Sequence, residues 1–517
     1  MFRQPDMKLD PTGHLISWPA KLAAAAIFTL ATFYIFSIYF SHDNDWILYM
    51  AQQVVDGKKA YVDFYEVNPP LTIWLNIPPV ILANATGISL AVALKIYVFS
   101  LIALILIFSQ KLIERCKTPY AQALLLSLTF VLTIQPAAQF AQREHFMLIL
   151  LIPYIFLISA RAKRIKLPQI WVLTIAILAA LAICLKPYFV LIPALCELYL
   201  LFLLRTQTFK RPEPYTMVFI GLAYLASILI ITPDYVFVIV KHARVVYQAG
   251  VGTNWQIMAY LVDSMVIALV LALVSKIYLK VKIKDISPEY VVIFLIALAN
   301  LGVFFAQFKG WPNHIYPVNA MVIVLTAVLL VKLYNYFRTS KNLIILLLGI
   351  GFLGPVYEMS IRYVLAVSTK HPGATYFDRR IKNFESENPA IEPKARSILV
   401  MSALIESGFP LVNELELDWG SRLPSMWMTP GIQNLKLSGQ QSGELLEAEI
   451  FSQETVGQDL ATRKPDIVFV HISSQKRFFN APYDYIEDYS QNDTFREAWR
   501  AYEWVESDED FALYRRR

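Results

Sequence analysis

The chain has 517 residues, of which 56% are hydrophobic and 17% are charged, and its mean hydropathy is +0.48. A soluble domain of ordinary composition carries less apolar material, so these values exclude a simple soluble protein and predict a polytopic membrane protein. The formal net charge is +6, but the lysines and arginines lie in short clusters between apolar segments and form no continuous basic face. Nucleic acid is therefore not an expected partner.

Apolar segments recur along the chain at about the 20-residue length that crosses a roughly 30 Å hydrocarbon layer. We count about eleven of them, starting near residues 19, 88, 119, 144, 168, 187, 215, 256, 289, 313 and 342. Clusters of lysine and arginine precede the first span and follow every second one, so the positive-inside rule predicts a cytoplasmic N-terminus and a C-terminal segment on the other side of the membrane. The first span is expected to be retained, because no small-x-small cleavage site precedes Ser41.

The connection after the first span, residues 42–87, is too long for a turn and too apolar for a solvated loop. An Asp-Asn-Asp sequence at 43–45 precedes apolar residues at helical spacing, and a second apolar piece covers 71–82. We predict two helices along the outer membrane surface, with their Trp and Tyr side chains in the interface. Another outside connection, residues 233–256, is basic and contains a glycine pair, which is typical of a flexible loop that closes over a ligand.

The composition changes near residue 367, where long apolar segments stop and charges of both signs mix. This change predicts a membrane module over residues 1–366 and a separate soluble domain over 367–517. Within the soluble domain, 397–403 and 466–471 are predicted to form short buried strands, and 435–458 a surface helix. The domain is therefore expected to have a small α/β fold.

Two carboxylates, Asp43 and Asp45, lie where the first span leaves the membrane. One interpretation is that they only cap the following helix and complement its dipole. The other is that one of them is a general base, since a partly desolvated carboxylate can take the proton of an attacking acceptor hydroxyl. Ionisable groups held at a bilayer surface are costly to keep there, which favours a functional role.

The segment after the first span resembles the first periplasmic loop of the GT-C membrane glycosyltransferases. The residues that carry the resemblance are Asp43, Tyr49, Ala51, Gly57, Tyr61, Asp63, Glu66, Asn68, Pro69 and Pro70. Within that superfamily it is similar to the branch of protein O-mannosyltransferases, aminoarabinose transferases of lipid A and rhizobial lipopolysaccharide-core galacturonosyltransferases. The aspartate of the family falls on Asp43. Asp45 is the alternative, because many relatives have an acidic residue directly after the aspartate and this chain has Asn44.

The resemblance implies a GT-C fold, a polytopic α-helical membrane protein with about 11 transmembrane helices and a C-terminal extracytoplasmic α/β domain. It also implies transfer of a sugar from a polyprenyl-phosphate carrier to an envelope glycan, lipid or protein acceptor, usually with inversion. The expected location is the bacterial inner membrane, in contact with its lipids, with the C-terminal domain in the periplasm. No cofactor is expected to be required, since a monophosphate leaving group does not need a divalent ion to neutralise it.

Further candidates lie at the predicted outside ends of spans. The cations Arg143, Lys186, Lys309 and His314 are suited to contact the carrier phosphate and to stabilise it as the sugar–phosphate bond breaks. Tyr49, Tyr61 and Trp311 are assigned to the sugar site, and Asp63, Glu66, Glu144 and His145 complete the set of candidate substrate-binding residues.

Each of these residues has a structural alternative. Lys186 is consistent with a cation whose side chain extends to the membrane interface. Arg143 and Glu144 are consistent with an ordinary ion pair, and His145 with a histidine that serves only in packing. Asp63 and Glu66 fit solvated loop charges. A divalent metal stays open, because Asp43, Asp63, Glu66, Glu144 and His145 offer oxygen ligands and one imidazole.

Two other classes of protein fit the composition. A lipid or sugar transporter or flippase also has many spans, but such proteins commonly show paired half-chain repeats and broken helices, which this sequence lacks. A non-catalytic envelope scaffold is the third hypothesis. No Walker loop, dinucleotide fingerprint or Ser-His-Asp signature is present in the sequence.

Overall fold

The computed structural model describes residues 15–39, 41–251, 286–337, 372–387 and 396–517. Within these ranges the chain is mostly helical, and seven helices are long and apolar enough to cross a membrane. A helical membrane protein with a small C-terminal sheet is therefore confirmed. The total of about eleven spans stays a prediction, because the segments expected near residues 256 and 342 and the boundary at 366/367 lie outside the described residues.

The helices up to residue 337 follow the predicted apolar segments closely. They are α1 (Trp18–Ser37), α2 (His42–Val55), α3 (Leu71–Trp74), α4 (Ile77–Thr86), α5 (Leu90–Arg115), α6 (Ala121–Thr133), α7 (Arg143–Ala162), α8 (Gln169–Cys184), α9 (Leu191–Leu204), α10 (Pro212–Ile231), α11 (Lys241–Val251), α12 (Pro288–Gln307) and α13 (Pro312–Phe337). Short 3₁₀ turns precede α7, α9 and α10, and a π-helical turn, Tyr235–Val240, precedes α11.

The C-terminal part contains α14 (Pro372–Glu387), β1 (Ser397–Met401), α15 (Leu411–Glu414), β2 (Asp418–Trp419), α16 (Met428–Leu437), α17 (Gly443–Arg463), β3 (Ile467–His471), α18 (Tyr485–Tyr489), α19 (Asp493–Trp499), β4 (Tyr502–Ser507) and β5 (Phe511–Arg516). The five strands form one sheet in the order β2-β1-β3-β5-β4. β1 is parallel to β2 and β3, and β5 is antiparallel to β3 and β4. This arrangement confirms the predicted strands at 397–403 and 466–471. The single helix predicted at 435–458 is instead two, because the chain turns at Gly439 with φ +77° between α16 and α17.

The chain divides into two compact units. Unit 1 consists of Met1–Phe40, Lys95–Tyr224 and Asn254–Ser368, and unit 2 of Ser41–Leu94, Leu225–Thr253 and Thr369–Arg517. Unit 2 thus combines the connection after α1, the segment with α11, and the C-terminal sheet.

The first two helices, α1 and α2, begin with the capping residues that elementary rules predict. Ser17 precedes α1 and its side chain accepts a hydrogen bond from the Ala20 amide at 3.4 Å. Ser41 precedes α2 and accepts one from the Asp43 amide at 3.3 Å, with two aspartates in the first turn. Such contacts satisfy amides that have no partner inside the helix.

Helix α7 is the central helix of unit 1. Of its apolar stretch 89% is buried, against 6% for α10. A helix that is apolar on all sides is stable only inside a protein or a bilayer, and α7 has neighbouring helices around it. Its first residues, which include Glu144, are therefore held in a fixed position.

Two predictions for unit 2 differ from the structure. The aromatic residues of α2 were expected in the membrane interface, but Trp46 and Tyr49 are 1% and 8% exposed. Their rings pack on Phe409 at 5.2 and 5.6 Å between ring centroids, and the Tyr49 hydroxyl accepts a hydrogen bond from the Trp419 amide at 3.1 Å. The amphipathic pattern of α2 indicates only that its apolar face is buried, and in the structure other residues of unit 2 bury this face instead of lipid.

The flexible loop predicted within 233–256 is also wrong for the described residues up to 251, which form the π-helical turn and α11. Gly250 lies in α11 at the point where this helix closely approaches α16. A Cβ atom at Gly250 would lie 2.9 Å from the backbone nitrogen of Gly431. The glycine serves helix packing there.

Candidate functional site

The most concentrated polar group of unit 1 surrounds the ammonium of Lys186. Its Nζ atom lies 2.5 Å from Glu144 Oε1, 3.2 Å from Gln307 Oε1 and 3.2 Å from His314 Nε2. Asn313 Nδ2 donates to the other oxygen of Glu144 at 3.0 Å. All five residues are at least nine-tenths buried, and we refer to them as the buried polar cluster.

Three chain segments bring the cluster together at helix ends. Glu144 lies in the first turn of α7, where a carboxylate complements the helix dipole. Lys186 directly precedes the 3₁₀ turn before α9. Gln307 ends α12, and after a short turn Asn313 and His314 lie in the first turn of α13. Polar side chains at helix ends can gather without breaking the apolar middle of the bundle.

The hydrogen bonds of His314 determine its tautomer. A lysine ammonium has three donors and no acceptor, so His314 Nε2 must accept from Lys186. In a neutral imidazole the proton is then on Nδ1. His314 is 4% exposed, and its Nδ1 has no hydrogen-bond partner within the described part of the chain. The structure therefore contains a buried N–H donor oriented by Lys186.

Four charged side chains, Glu144, Lys186, Arg143 and Lys309, interact electrostatically with His314. Glu144 and Lys186 neutralise each other, while Arg143 and Lys309 both interact electrostatically with His314. Lys309 Nζ lies 4.8 Å from the ring centroid of Trp311, whose ring is 5.4 Å from that of His314. The structure thus brings together the predicted residues Arg143, Glu144, Lys186, Lys309, Trp311 and His314. An N–H donor near these cationic side chains is suited to an anionic oxygen.

His145 has a different environment. It is fully buried, its Nδ1 accepts from the Ala141 amide at 3.0 Å, and its Nε2 lies 2.8 Å from Leu132 O. Its ring packs on Phe140 and Tyr316. Both ring nitrogens are used by the backbone of unit 1, which agrees with the packing alternative.

The candidate carboxylates of unit 2 are held in the fold to different degrees. Glu66 is 5% exposed and accepts hydrogen bonds from Trp46 Nε1 at 2.9 Å, from the Asn68 amide at 2.8 Å and from the Asn68 side chain. Asp63 is less buried and accepts from the Lys59 amide at 2.7 Å, and its carbonyl accepts from Arg463. Both acids organise the segment after α2, so the alternative of solvated charges does not apply to Glu66.

Asp43 and Asp45 differ in exposure. The Asp43 side chain is 23% exposed and lies 3.6 Å from His42 Nε2. Asp45 is only 5% exposed, and its backbone carbonyl accepts from Asn413 Nδ2 at 2.8 Å. Of the two side chains, Asp43 is the more accessible to solvent.

The two tyrosines assigned to the sugar site are buried in unit 2. Besides its contact with Trp419, Tyr49 has a pKa raised above its ordinary value, chiefly because burial penalises the phenolate. The Tyr61 hydroxyl donates to Asn68 O at 2.6 Å, and its ring lies 5.1 Å from that of Tyr235. Both rings contribute to packing.

Sequence reasoning missed Gln307 and Asn313 as members of the buried polar cluster. Both lie within the segment 307–317 that carries Lys309, Trp311 and His314. Amide side chains carry no charge and follow no diagnostic spacing. The one signal available in the sequence was that both residues lie next to the candidates Lys309, Trp311 and His314.

A metal site has no direct support among the described residues, which contain no group of three or more His, Cys, Asp and Glu side chains that could hold an ion. The five predicted donors, Asp43, Asp63, Glu66, Glu144 and His145, form no such group. Binding of a divalent metal stays a prediction.

No protein-family model matches the chain, and no curated protein matches its sequence. Among solved structures, the chain is similar to the archaeal oligosaccharyltransferase AglB from Archaeoglobus fulgidus in complex with an inhibitory peptide and a dolichol-phosphate, with a TM-score of 0.48 and 11% identity over 97% of this chain and 75% of that one. A second structure, the Archaeoglobus fulgidus oligosaccharyltransferase with Zn and sulfate, gives a TM-score of 0.47 and 11% identity over 96% and 72%. At this distance the GT-C family stays a prediction from the sequence.

Proposed function

We propose that the chain is a GT-C-type glycosyltransferase that moves a sugar from a polyprenyl-phosphate carrier to an envelope glycan, lipid or protein acceptor. The observation that carries this proposal is the buried Nδ1–H donor of His314. It lies at the end of an apolar helix bundle beside Arg143 and Lys309. A lipid monophosphate combines an apolar chain with the anionic oxygens that these groups attract.

In the proposed reaction the acceptor hydroxyl oxygen attacks the anomeric carbon, and the bond from that carbon to the carrier phosphate breaks. His314, Arg143 and Lys309 stabilise the additional negative charge on the departing phosphate. Attack from the face opposite the phosphate gives inversion.

Lys186 receives a different role from the one assigned by sequence. Its three N–H donors have three acceptors in the buried polar cluster, Glu144, Gln307 and His314. We assign Lys186 and Glu144 as positioning residues that fix the tautomer and the orientation of His314.

Asp43 is proposed as the general base that removes the proton of the acceptor hydroxyl, with Asp45 as the alternative. The partial exposure of the Asp43 side chain supports the first choice, because a base must be reached by its acceptor. Tyr49 and Tyr61 are proposed to support the acceptor side through the packing of α2 and the following turn, and Trp311 to contact the sugar.

The test uses detergent-purified protein with lipid extracts and glycans from cells that lack the gene, and mass spectrometry to follow transfer. A transferase works in detergent, whereas a flippase has no measurable activity without two compartments. Loss of the gene should also leave lipid-linked sugar unconsumed.

Asp43→Asn should lower the transfer rate by about 10²–10⁴-fold without changing donor binding. Asp56→Asn is the matched control, since Asp56 is an exposed acid at the other end of the same helix. If both Asp43→Asn and Asp45→Asn retain full activity, the base assignment is wrong.

His314→Phe keeps an aromatic ring but removes the N–H donor, so it should weaken binding of the polyprenyl-phosphate donor.

A further inference from the structure

Unit 1 contains an apolar groove between α9 and α10. Its volume is about 650 Å³, within the range of about 300–1,000 Å³ that small-molecule sites occupy. Leu198 and Leu201 of α9 face Val218, Phe219 and Leu222 of α10 across it, and all five side chains are exposed. Exposed apolar walls on a membrane-spanning helix are suited to a hydrocarbon chain.

The groove has a defined length, and the turn between α9 and α10 lies at one end of it. Along α9 its wall extends from Ala194 to Leu201, roughly 10 Å at 1.5 Å per residue. Thr208 and Phe209 of the 3₁₀ turn Arg205–Lys210 line its end. The Tyr215 hydroxyl donates to Phe209 O at 2.7 Å, which holds this turn against the start of α10.

Four charged side chains near this end of the groove pair with one another. Glu197, which lines the groove, is paired with Arg211. Glu213 pairs with Arg161 at 2.8 Å and with Arg211 at 3.2 Å. These two carboxylates and two guanidinium groups balance one another.

Arg205 and Lys210 are the two cations that remain at this end. Both are exposed, and in the described part of the chain neither side chain forms an ion pair. An anionic headgroup near the membrane surface is attracted by neighbouring Lys and Arg side chains, whereas a zwitterionic headgroup carries no net charge.

We propose that this groove binds one chain of an anionic phospholipid, with the lipid phosphate against Arg205 and Lys210. The groove has room for the part of one acyl chain nearest the headgroup, and Arg205 and Lys210 favour a lipid whose headgroup is negatively charged. This site is separate from the buried polar cluster and does not depend on the proposed transfer reaction.

The test measures lipid binding to the full-length, delipidated protein. Phosphatidylglycerol and phosphatidylcholine are added separately, and bound lipid is counted by native mass spectrometry together with the shift in melting temperature. We expect phosphatidylglycerol to be retained and to raise the melting temperature more than phosphatidylcholine does. Equal binding of the two lipids would overturn the proposal.

Two variants test the two parts of the site. Arg205→Gln with Lys210→Gln should weaken phosphatidylglycerol binding at least about tenfold. Ala194→Phe should fill the groove and weaken binding of the chain. The matched controls are Arg164→Gln with Lys166→Gln, which remove two exposed cations elsewhere in unit 1, and Ala223→Phe on α10 outside the groove lining. If the controls weaken binding as much as the site variants, the bound lipid is only annular and the proposal fails.

Discussion

The Glu144–Lys186 ion pair is the single interaction on which the buried polar cluster most depends. The two side chains are 1% and 9% exposed and lie 2.5 Å apart. Removing one member of a buried pair leaves the other charge without compensation in a low dielectric, whereas removing both charges leaves none.

We therefore predict that Lys186→Met destabilises the protein by about 3–5 kcal/mol. The double variant Glu144→Gln with Lys186→Met should lose less than Lys186→Met alone. The measurement is the melting temperature of the detergent-purified protein for the wild type, both single variants and the double variant. Strictly additive losses would mean that the two groups do not form a coupled pair.

A second residue-scale prediction concerns His471, the last residue of β3. Burial and the charge of Lys476 lower its pKa from 6.5 to about 4. The unfolded chain takes up a proton as the pH falls below about 6.5, while the folded protein does not until about pH 4. Stability linked to this group therefore falls as the pH is lowered from 6.5 towards 4.

His471→Phe should remove that dependence. The His471 ring stacks on Phe511 with centroids 4.7 Å apart and an angle of 17°, so phenylalanine preserves the contact without a titratable group. Melting temperatures of the wild type and the variant, measured between pH 7.5 and 4.5, should diverge in favour of the variant as the pH falls. Parallel curves would show that folding does not lower the pKa of His471.

Charge and spacing in the sequence were sufficient to find Glu144, Lys186 and His314 of the buried polar cluster. Ionisable residues are rare at the ends of membrane spans, so each of them can be recognised in the sequence. Charge and spacing did not reveal what those residues do. The three acceptors around Lys186 come from separate helices, so only the tertiary structure shows that its donors are already used. For the same reason Trp46 was placed at a lipid interface, although its actual neighbour, Phe409, is more than 300 residues away in the sequence.

At the scale of elements, α11 packs on α16 with very little space between the two backbones. A Cβ atom at Gly431 would lie 2.0 Å from the carbonyl oxygen of Val246. Around this close approach Val246 packs with Met428, Ile432, Leu445 and Ala448 in one apolar cluster. For the described residues up to 251, the prediction of a flexible loop from the glycine pair was wrong, because glycine permits close helix packing as well as flexibility.

Gly431→Ala should therefore force α11 away from α16 and lower the stability of unit 2 by about 1–3 kcal/mol, as overpacking does. Gly443→Ala is the matched control, because a Cβ atom there meets nothing within 4 Å, and it should be neutral or stabilising by up to about 1 kcal/mol. Chemical denaturation followed by tryptophan fluorescence compares the two. Equal stability of both variants would contradict the close packing.

At the scale of the whole molecule, unit 2 is formed by segments that are distant in the sequence. Trp46 and Tyr49 of α2 share an aromatic core with Phe409 and Trp419. The Tyr65 amide donates to Arg422 O at 2.6 Å. Within unit 2, the C-terminal segment therefore shares its core with the connection that follows α1.

This shared core predicts that the connection 41–94 and the C-terminal sheet unfold together. Trp46→Ala removes a side chain that is 1% exposed and should cost about 3–5 kcal/mol. Hydrogen exchange measured by mass spectrometry should then increase by the same factor in peptides from α2 and from β1 and β3, because one cooperative unit opens as a whole. Trp504→Ala in β4 removes a tryptophan that is 60% exposed and should leave exchange nearly unchanged. Faster exchange confined to α2 would mean that the connection is an independent element resting on a domain that is stable without it.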